Sequence, residues 1–233
     1  MPGSKQWRQS IRPRIAAAQR QLRDLPIATI SVDCGANRRE TDLELLMFAN
    51  PLRITVPDYV VIADDGARCP EEIQALVLDY LVRMTGSDAR DQEPGHWLGF
   101  QELPGGAFYA QAFRSYSSDV LVRELNGEAE AFREAANRLG GTFLEFGDVS
   151  ASFRAFPRVR LAVVWWEGDE EFPANASVLF DSSGSHALPI DGFATLGRLL
   201  CQALLQAADT VPRPTDRTIE PPSGTLVEQP PEA

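Results

Sequence analysis

The chain is poor in the residues that build metal and redox centres. It has three cysteines, Cys34, Cys69 and Cys201, and two histidines, His96 and His186, among 233 residues. The cysteines are far apart and none belongs to a CxxC pair. Neither a zinc ribbon nor an iron–sulfur ligand run is therefore present, and free thiols in a reducing, cytoplasmic setting are expected. With two histidines and no HExxH, a three-histidine or HExxH zinc hydrolase is excluded. No apolar run approaches the roughly 20 residues of a membrane span, and no signal-peptide core follows the start. GxGxxG, a P-loop lysine motif and GxSxG are missing as well, which removes the recognisable phosphate cradles and the hydrolase nucleophile elbow. Basic residues are outnumbered 22 to 33, for a net charge of −11. That field repels nucleic acid and anionic lipid, so general binding to either is disfavoured, and a cationic partner is easier to accommodate.

What the chain does have is concentrated between residues 157 and 189. Leu161 to Trp166 is a run of six apolar residues without alternation, the pattern of a strand covered on both faces at the centre of a sheet. Ala176 to Phe180 reads as its neighbour. The stretch between them, Glu167-Gly168-Asp169-Glu170-Glu171-Phe172-Pro173, is too long for a tight hairpin and too charged to bury, so it forms a surface loop.

Other segments supply the frame. Ile11, Ile15, Ala18, Leu22 and Leu25 recur at helical spacing in a basic N-terminal segment. This helix either touches a phosphate or acidic partner or docks on the protein's own acidic body, and docking is favoured. Strands are expected at Ile27 to Val32, Leu43 to Phe48, Leu52 to Val56 and Tyr59 to Ile62 as a small meander. Pro70, Glu71 and Glu72 open a helix whose Ile73, Leu76, Val77, Tyr80, Leu81 and Met84 make a core stripe. Residues 85–96 read as a polar connector. Ala107 to Tyr116 continues a Pro-Gly-Gly turn as a helix, and Ala129 to Leu139 is another, closed by Gly140-Gly141. Short strands follow at Phe143 to Phe146 and Ser152 to Phe156. Asp191 caps a last helix with Phe193, Leu196, Leu200 and Leu204 inward. The expected fold is α+β, a mainly antiparallel sheet with flanking helices. It forms one domain over 1–208 that divides, if it divides, into lobes 1–90 and 91–208. A disordered, proline-rich acidic tail follows over 209–233.

Two stretches offer contact surfaces for a ligand or a partner. One is Trp97, Phe100, Glu102, Gly105, Gly106 and Tyr109, where aromatics flank a glycine turn that either presents amides to an anion or simply packs. The other is Trp166, Glu167, Asp169 and Glu170. An alternative chemistry uses Asp169, Glu170, Asp181 and His186, residue types suited to a divalent metal or a general acid/base pair. Ser182, Ser183 and Ser185 lie close to His186 in sequence, but adjacent Ser and His seldom face each other productively.

The strings WLGFQELPGGAFYAQAFRSY, NRLGG, GDVSASFRAFPRVRLAVVWWEGDEEFPANASVLFD and SHALPIDG, in this order between about Leu22 and Leu205, resemble a prokaryotic domain family of unknown function. Relatives in that family are sometimes joined to iron–sulfur segments or found beside corrinoid proteins. The resemblance thereby implies accessory work around a cofactor, although no particular cofactor is indicated. This chain lacks the cysteine-rich segment and carries Ile190-Asp191-Gly192 where a more acidic helix start is expected. The expected function is a non-enzymatic accessory or binding domain for a cofactor-bearing protein partner or a small ligand. The alternative is a metal-assisted hydrolase or transferase.

Overall fold

The computed structural model describes residues 5–87 and 95–209, with side chains from residue 11 onwards. The elements are α1 (Lys5–Arg23), α2 (Ile27–Cys34), β1 (Asn37–Arg39), β2 (Asp42–Met47), β3 (Asn50–Ile54), β4 (Val61–Ala63) and α3 (Glu71–Met84), followed by β5 (Trp97–Gly99). Then come α4 (Ala110–Tyr116), α5 (Ser118–Glu124), α6 (Ala129–Arg138), β6 (Thr142–Leu144), β7 (Val149–Phe156), β8 (Val159–Trp166), β9 (Asn175–Asp181) and α7 (Ile190–Asp209). The fold is α+β. Strands β1 to β4 form an antiparallel meander in chain order, and the remaining five form a second antiparallel sheet ordered β5-β9-β8-β7-β6. None of the described helices is long and apolar enough to cross a membrane.

The six-residue apolar run is the middle strand of the larger sheet, as its lack of alternation predicts. Leu161, Val163 and Trp165 project to one face and Ala162 and Val164 to the other, and all five are buried. On the first face Trp165 stacks on Phe132 of α6 at 5.5 Å. Phe180 of β9 meets Phe193 of α7 edge-on at 5.5 Å, and Phe100 and Phe113 stack at 4.2 Å beside it.

Helix α1 is docked, not free. Ile11, Ile15, Ala18 and Leu22 are buried, and the helix lies along α3. Its basic side chains meet the body's acids: Arg12 pairs with Glu71 at 2.6 Å, Arg14 with both Asp79 and Asp191, and Arg23 with Asp58 at 3.6 Å. Asp191, expected as a helix cap, sits inside the first turn of α7 and faces Arg14 instead.

One expected strand is wrong. Ile27 to Val32 is the body of α2, with Ile30, Asp33 and Cys34 buried at i, i+3 and i+4. The β-branched residues favoured a strand, but Gly35 decides the outcome. At φ 65° it ends the helix in the left-handed conformation, and the N–H groups of Gly35 and Ala36 return to the carbonyls of Val32 and Ser31. A Cβ on Gly35 would stand 2.7 Å from Cβ of Pro157, so the same glycine lets the two halves of the chain touch. Tertiary bonds then hold α2: Tyr80 donates to the Cys34 carbonyl at 2.8 Å, and Asp33 accepts the Gly86 N–H at 2.7 Å.

Smaller differences concern boundaries. The β2–β3 turn is Phe48-Ala49, so Phe48 leaves the expected Leu43 to Phe48 strand, α4 begins at Ala110, and α5 was not anticipated. Asp209 ends α7 rather than opening a tail; the rest of the expected tail, and positions 88–94 of the expected connector, lie outside the described residues.

Burial of β8 on both faces has a direct consequence for mutation. Val163→Asp and Val164→Asp each place a charge without a partner in a dry interior, at a cost of several kcal/mol. Both variants are expected to fail to fold by circular dichroism and urea melts. One well-tolerated aspartate would mean that one face is open.

Candidate functional site

The two expected contact surfaces resolve differently. In the WLGFQELPGG stretch most groups are committed to structure. Phe100 is buried in the aromatic cluster, and the Glu102 carboxylate accepts the Gly99 N–H at 2.6 Å. The Gly106 N–H is bonded to the Leu103 carbonyl at 2.8 Å, so it is not offered to an anion. A Cβ at Gly106 would lie 1.8 Å from the Phe100 carbonyl oxygen, which shows what the glycine is for: close backbone packing. Gly105 lies beside it at φ 81° on the exposed side of the turn. Tyr109 projects into solvent, and Trp97 is half-buried on the edge strand opposite Asp181.

The acidic loop is an ordered surface at the end of β8. Asp169 Oδ1 accepts the N–H groups of Phe172 and Glu171 at 2.7 and 2.8 Å, and these two bonds hold its carboxyl below the usual carboxylate range. Asp148 of the β6–β7 turn accepts the Glu167 N–H at 2.7 Å and ties the two loops together. Glu145, Asp148, Glu167, Asp169, Glu170 and Glu171 make no ion pair among the described residues; Phe146 and Phe172 are exposed in the same two loops, and Trp166 is exposed at the end of β8.

The four residues of the metal alternative are not brought together. Asp169 and Glu170 precede β9 and Asp181 ends it, so six strand steps, roughly 20 Å, separate them. Asp181 is also fully engaged. Its carboxylate pairs with Arg160 at 2.5 Å and accepts from the Ser183 hydroxyl at 2.7 Å and from the Ser183 and Gly95 N–H groups at 2.9 Å. Burial pushes the carboxyl up, but those hydrogen bonds and the Arg160 charge outweigh it and leave the pKa below the ordinary value. His186 lies beyond the turn at 182–184, where partial burial and the charge of Arg83 lower its pKa. Among the described residues no three His, Cys, Asp or Glu side chains are arranged to hold a metal.

The serine that gains a histidine is Ser182, and the histidine is His96, not His186. Pairing of β5 with β9 puts Ser182 Oγ 3.2 Å from His96 Nδ1, while the same oxygen accepts the His96 N–H at 3.0 Å. The neighbouring carboxylate, Asp181, bonds Ser183 rather than the imidazole, so the relay of a hydrolase triad is not built here.

The concave feature that sequence reasoning missed lies between the two sheets. It is an apolar cleft of about 350 Å³. Its walls are Leu46, Phe48 and Ala49 of the β2–β3 hairpin, Phe153 and Arg154 of β7, Leu200 and Ala203 of α7, and Leu139-Gly140 after α6, with Gly35 and Pro157 at one end. The hairpin turn is unusual. Phe48 (φ 47°) and Ala49 (φ 67°) both adopt the left-handed region, where Asn-Gly is the ordinary choice and other residues cost of order 1–3 kcal/mol each. The Phe48 N–H donates to the Ala155 carbonyl of β7 at 3.1 Å, which pins the strained turn across the gap. No local motif announces this site. Its only sequence signal is an apolar pair, Phe48-Ala49, standing where a turn residue belongs.

Fold and cleft together define an α+β domain of two antiparallel sheets with a small-molecule-sized pocket at their junction. From residue 27 to residue 203 the chain matches the family described as Domain of unknown function (DUF3786), and it belongs to that family. No curated protein and no solved structure matches the chain.

Asp181 yields a prediction with a definite sign. Its folded pKa is depressed, so its contribution is fully present above the unfolded value of about 3.9 and is lost as pH falls through the folded value. Asp181→Asn is expected to lower stability near neutral pH by about 2 kcal/mol. The loss is smaller than for a fully buried pair because the Arg160 side chain retains 30% exposure. Urea melts near neutrality and at about pH 3 should show the variant losing less stability on acidification than the parent.

Proposed function

We propose that this domain is a non-enzymatic binding module and that it holds a small, largely apolar ligand in the cleft between the two sheets. The cleft itself carries the reading. Its volume falls in the range of small-molecule sites, and its lining is apolar apart from one arginine. The strained Phe48-Ala49 turn supports it, because backbone strain held by a tertiary hydrogen bond is concentrated at ligand clamps. Three unpaired cysteines, all buried, accord with a cytoplasmic protein, and burial pushes the Cys34 and Cys201 thiols up to about 12. The net charge of −11 disfavours general nucleic-acid binding.

A second reading, an accessory domain for a cofactor-bearing protein, rests on a separate observation. The exposed aromatics Phe146, Trp166 and Phe172 accompany the unpaired carboxylates of the two tied loops, a surface suited to a basic partner segment.

The ligand reading is tested with N-phenylnaphthylamine, an uncharged apolar fluorophore. Saturable one-to-one binding is expected. Ala203→Phe fills the cleft from a partly exposed helix position and should weaken binding by at least about tenfold, with the melting temperature nearly unchanged. A variant that binds as the parent does would remove the cleft from consideration.

A further inference from the structure

We infer that the ligand of this cleft is an amphipathic anion, an apolar body carrying a carboxylate, sulfonate or phosphate group, and that Arg154 is the residue that reads the anionic group. The inference rests on the reading of the cleft as a ligand site and adds the chemical class. Arg154 is the one charged residue in the lining, and no carboxylate shares the cleft with it. Arg12, Arg14, Arg23, Arg53, Arg114, Arg160 and Arg198 each meet an acid; Arg154 shares the lack of an ion pair with Arg20, Arg38, Arg68, Arg83 and Arg158 among the described residues, and of these six it is the one that lines the cleft. The Arg154 side chain makes no hydrogen bond or ion pair among the described residues. Its cross-strand partner is Arg160, whose charge is already neutralised by Asp181.

The local backbone explains why the guanidinium is left at the cleft. Register shifts between Arg154 and Phe156, so the consecutive residues Ala155 and Phe156 are both buried while Arg154 stays exposed at the opening. Bulges of this kind re-aim a side chain next to a site. A second positive group stands behind the Gly35–Pro157 end: Arg158, whose Nε is buried without a hydrogen-bond partner and lies 3.8 Å from the position of a Cβ on Gly35. A guanidinium fork beside an apolar wall matches a planar or tetrahedral oxyanion attached to a hydrocarbon or aryl group.

The test pairs N-phenylnaphthylamine with its sulfonated derivative, anilinonaphthalene sulfonate, which differs by the anionic group alone. The parent protein is expected to bind the sulfonate about tenfold more tightly than the uncharged probe. Arg154→Gln should abolish that preference while leaving the affinity for the uncharged probe within about twofold, and Ala203→Phe should weaken both. An unchanged sulfonate affinity in Arg154→Gln, with Ala203→Phe still blocking both probes, overturns the anion inference and leaves the cleft as a neutral-ligand site. Undiminished binding of both probes to Ala203→Phe overturns the cleft itself. Binding seen only after removal of residues 210–233 assigns the cleft to the chain's own C-terminal segment and likewise overturns the inference.

Discussion

The two-sided burial of β8 is the constraint on which the rest of the larger sheet depends. A strand with no solvent face cannot tolerate a charge anywhere along its middle, so every polar group is displaced to its ends. At one end Arg160 pairs with Asp181, and at the other Trp166 emerges into solvent and the carboxylates begin. The helices are placed by the same requirement. Phe132 of α6 and Phe193 of α7 cover Trp165 and Phe180, while α4 and its preceding turn bring Phe113 and Phe100 to the same aromatic group.

The meander and helices α2 and α3 meet that sheet along one side, and the cleft opens beside their contacts. Phe48 bonds Ala155, Gly35 packs on Pro157, and Tyr80 stacks on Phe156 at 4.5 Å. Where those contacts stop, the hairpin stands away from β7 and α7, and apolar side chains on both sides face a gap. The buried side chain of Gln74, bonded to both backbone groups of Val61 and to the Cys69 carbonyl, fixes the meander to α3.

Much of the fold was legible because long periodic or unbroken apolar segments leave little choice. The α3 stripe, the α7 stripe and the Leu161–Trp166 run each state their environment locally. Ile27 to Val32 did not, since a short β-branched run fits either state. The decision came from the left-handed Gly35 and from partners far along the chain, Tyr80 and Gly86. The site was less legible than the fold for the same reason. Glu102 and Gly106 drew attention as contact residues and Asp181 as a metal ligand, yet the structure uses them on backbone hydrogen bonds, packing and an ion pair. The cleft is assembled from five separated stretches of mostly apolar residues, so no window of sequence contains it.

The attachment of α1 carries a consequence for alkaline conditions. Its ties to Glu71, Asp79, Asp191 and Asp58 are all made by guanidinium groups, and Arg14 has its pKa raised further, its two carboxylate partners outweighing burial. Lys5 is the chain's single lysine. An amine-built clasp would discharge and loosen above about pH 10, whereas guanidinium groups stay charged there. The N-terminal helix is therefore fastened by a latch that stays charged where a lysine clasp would let go.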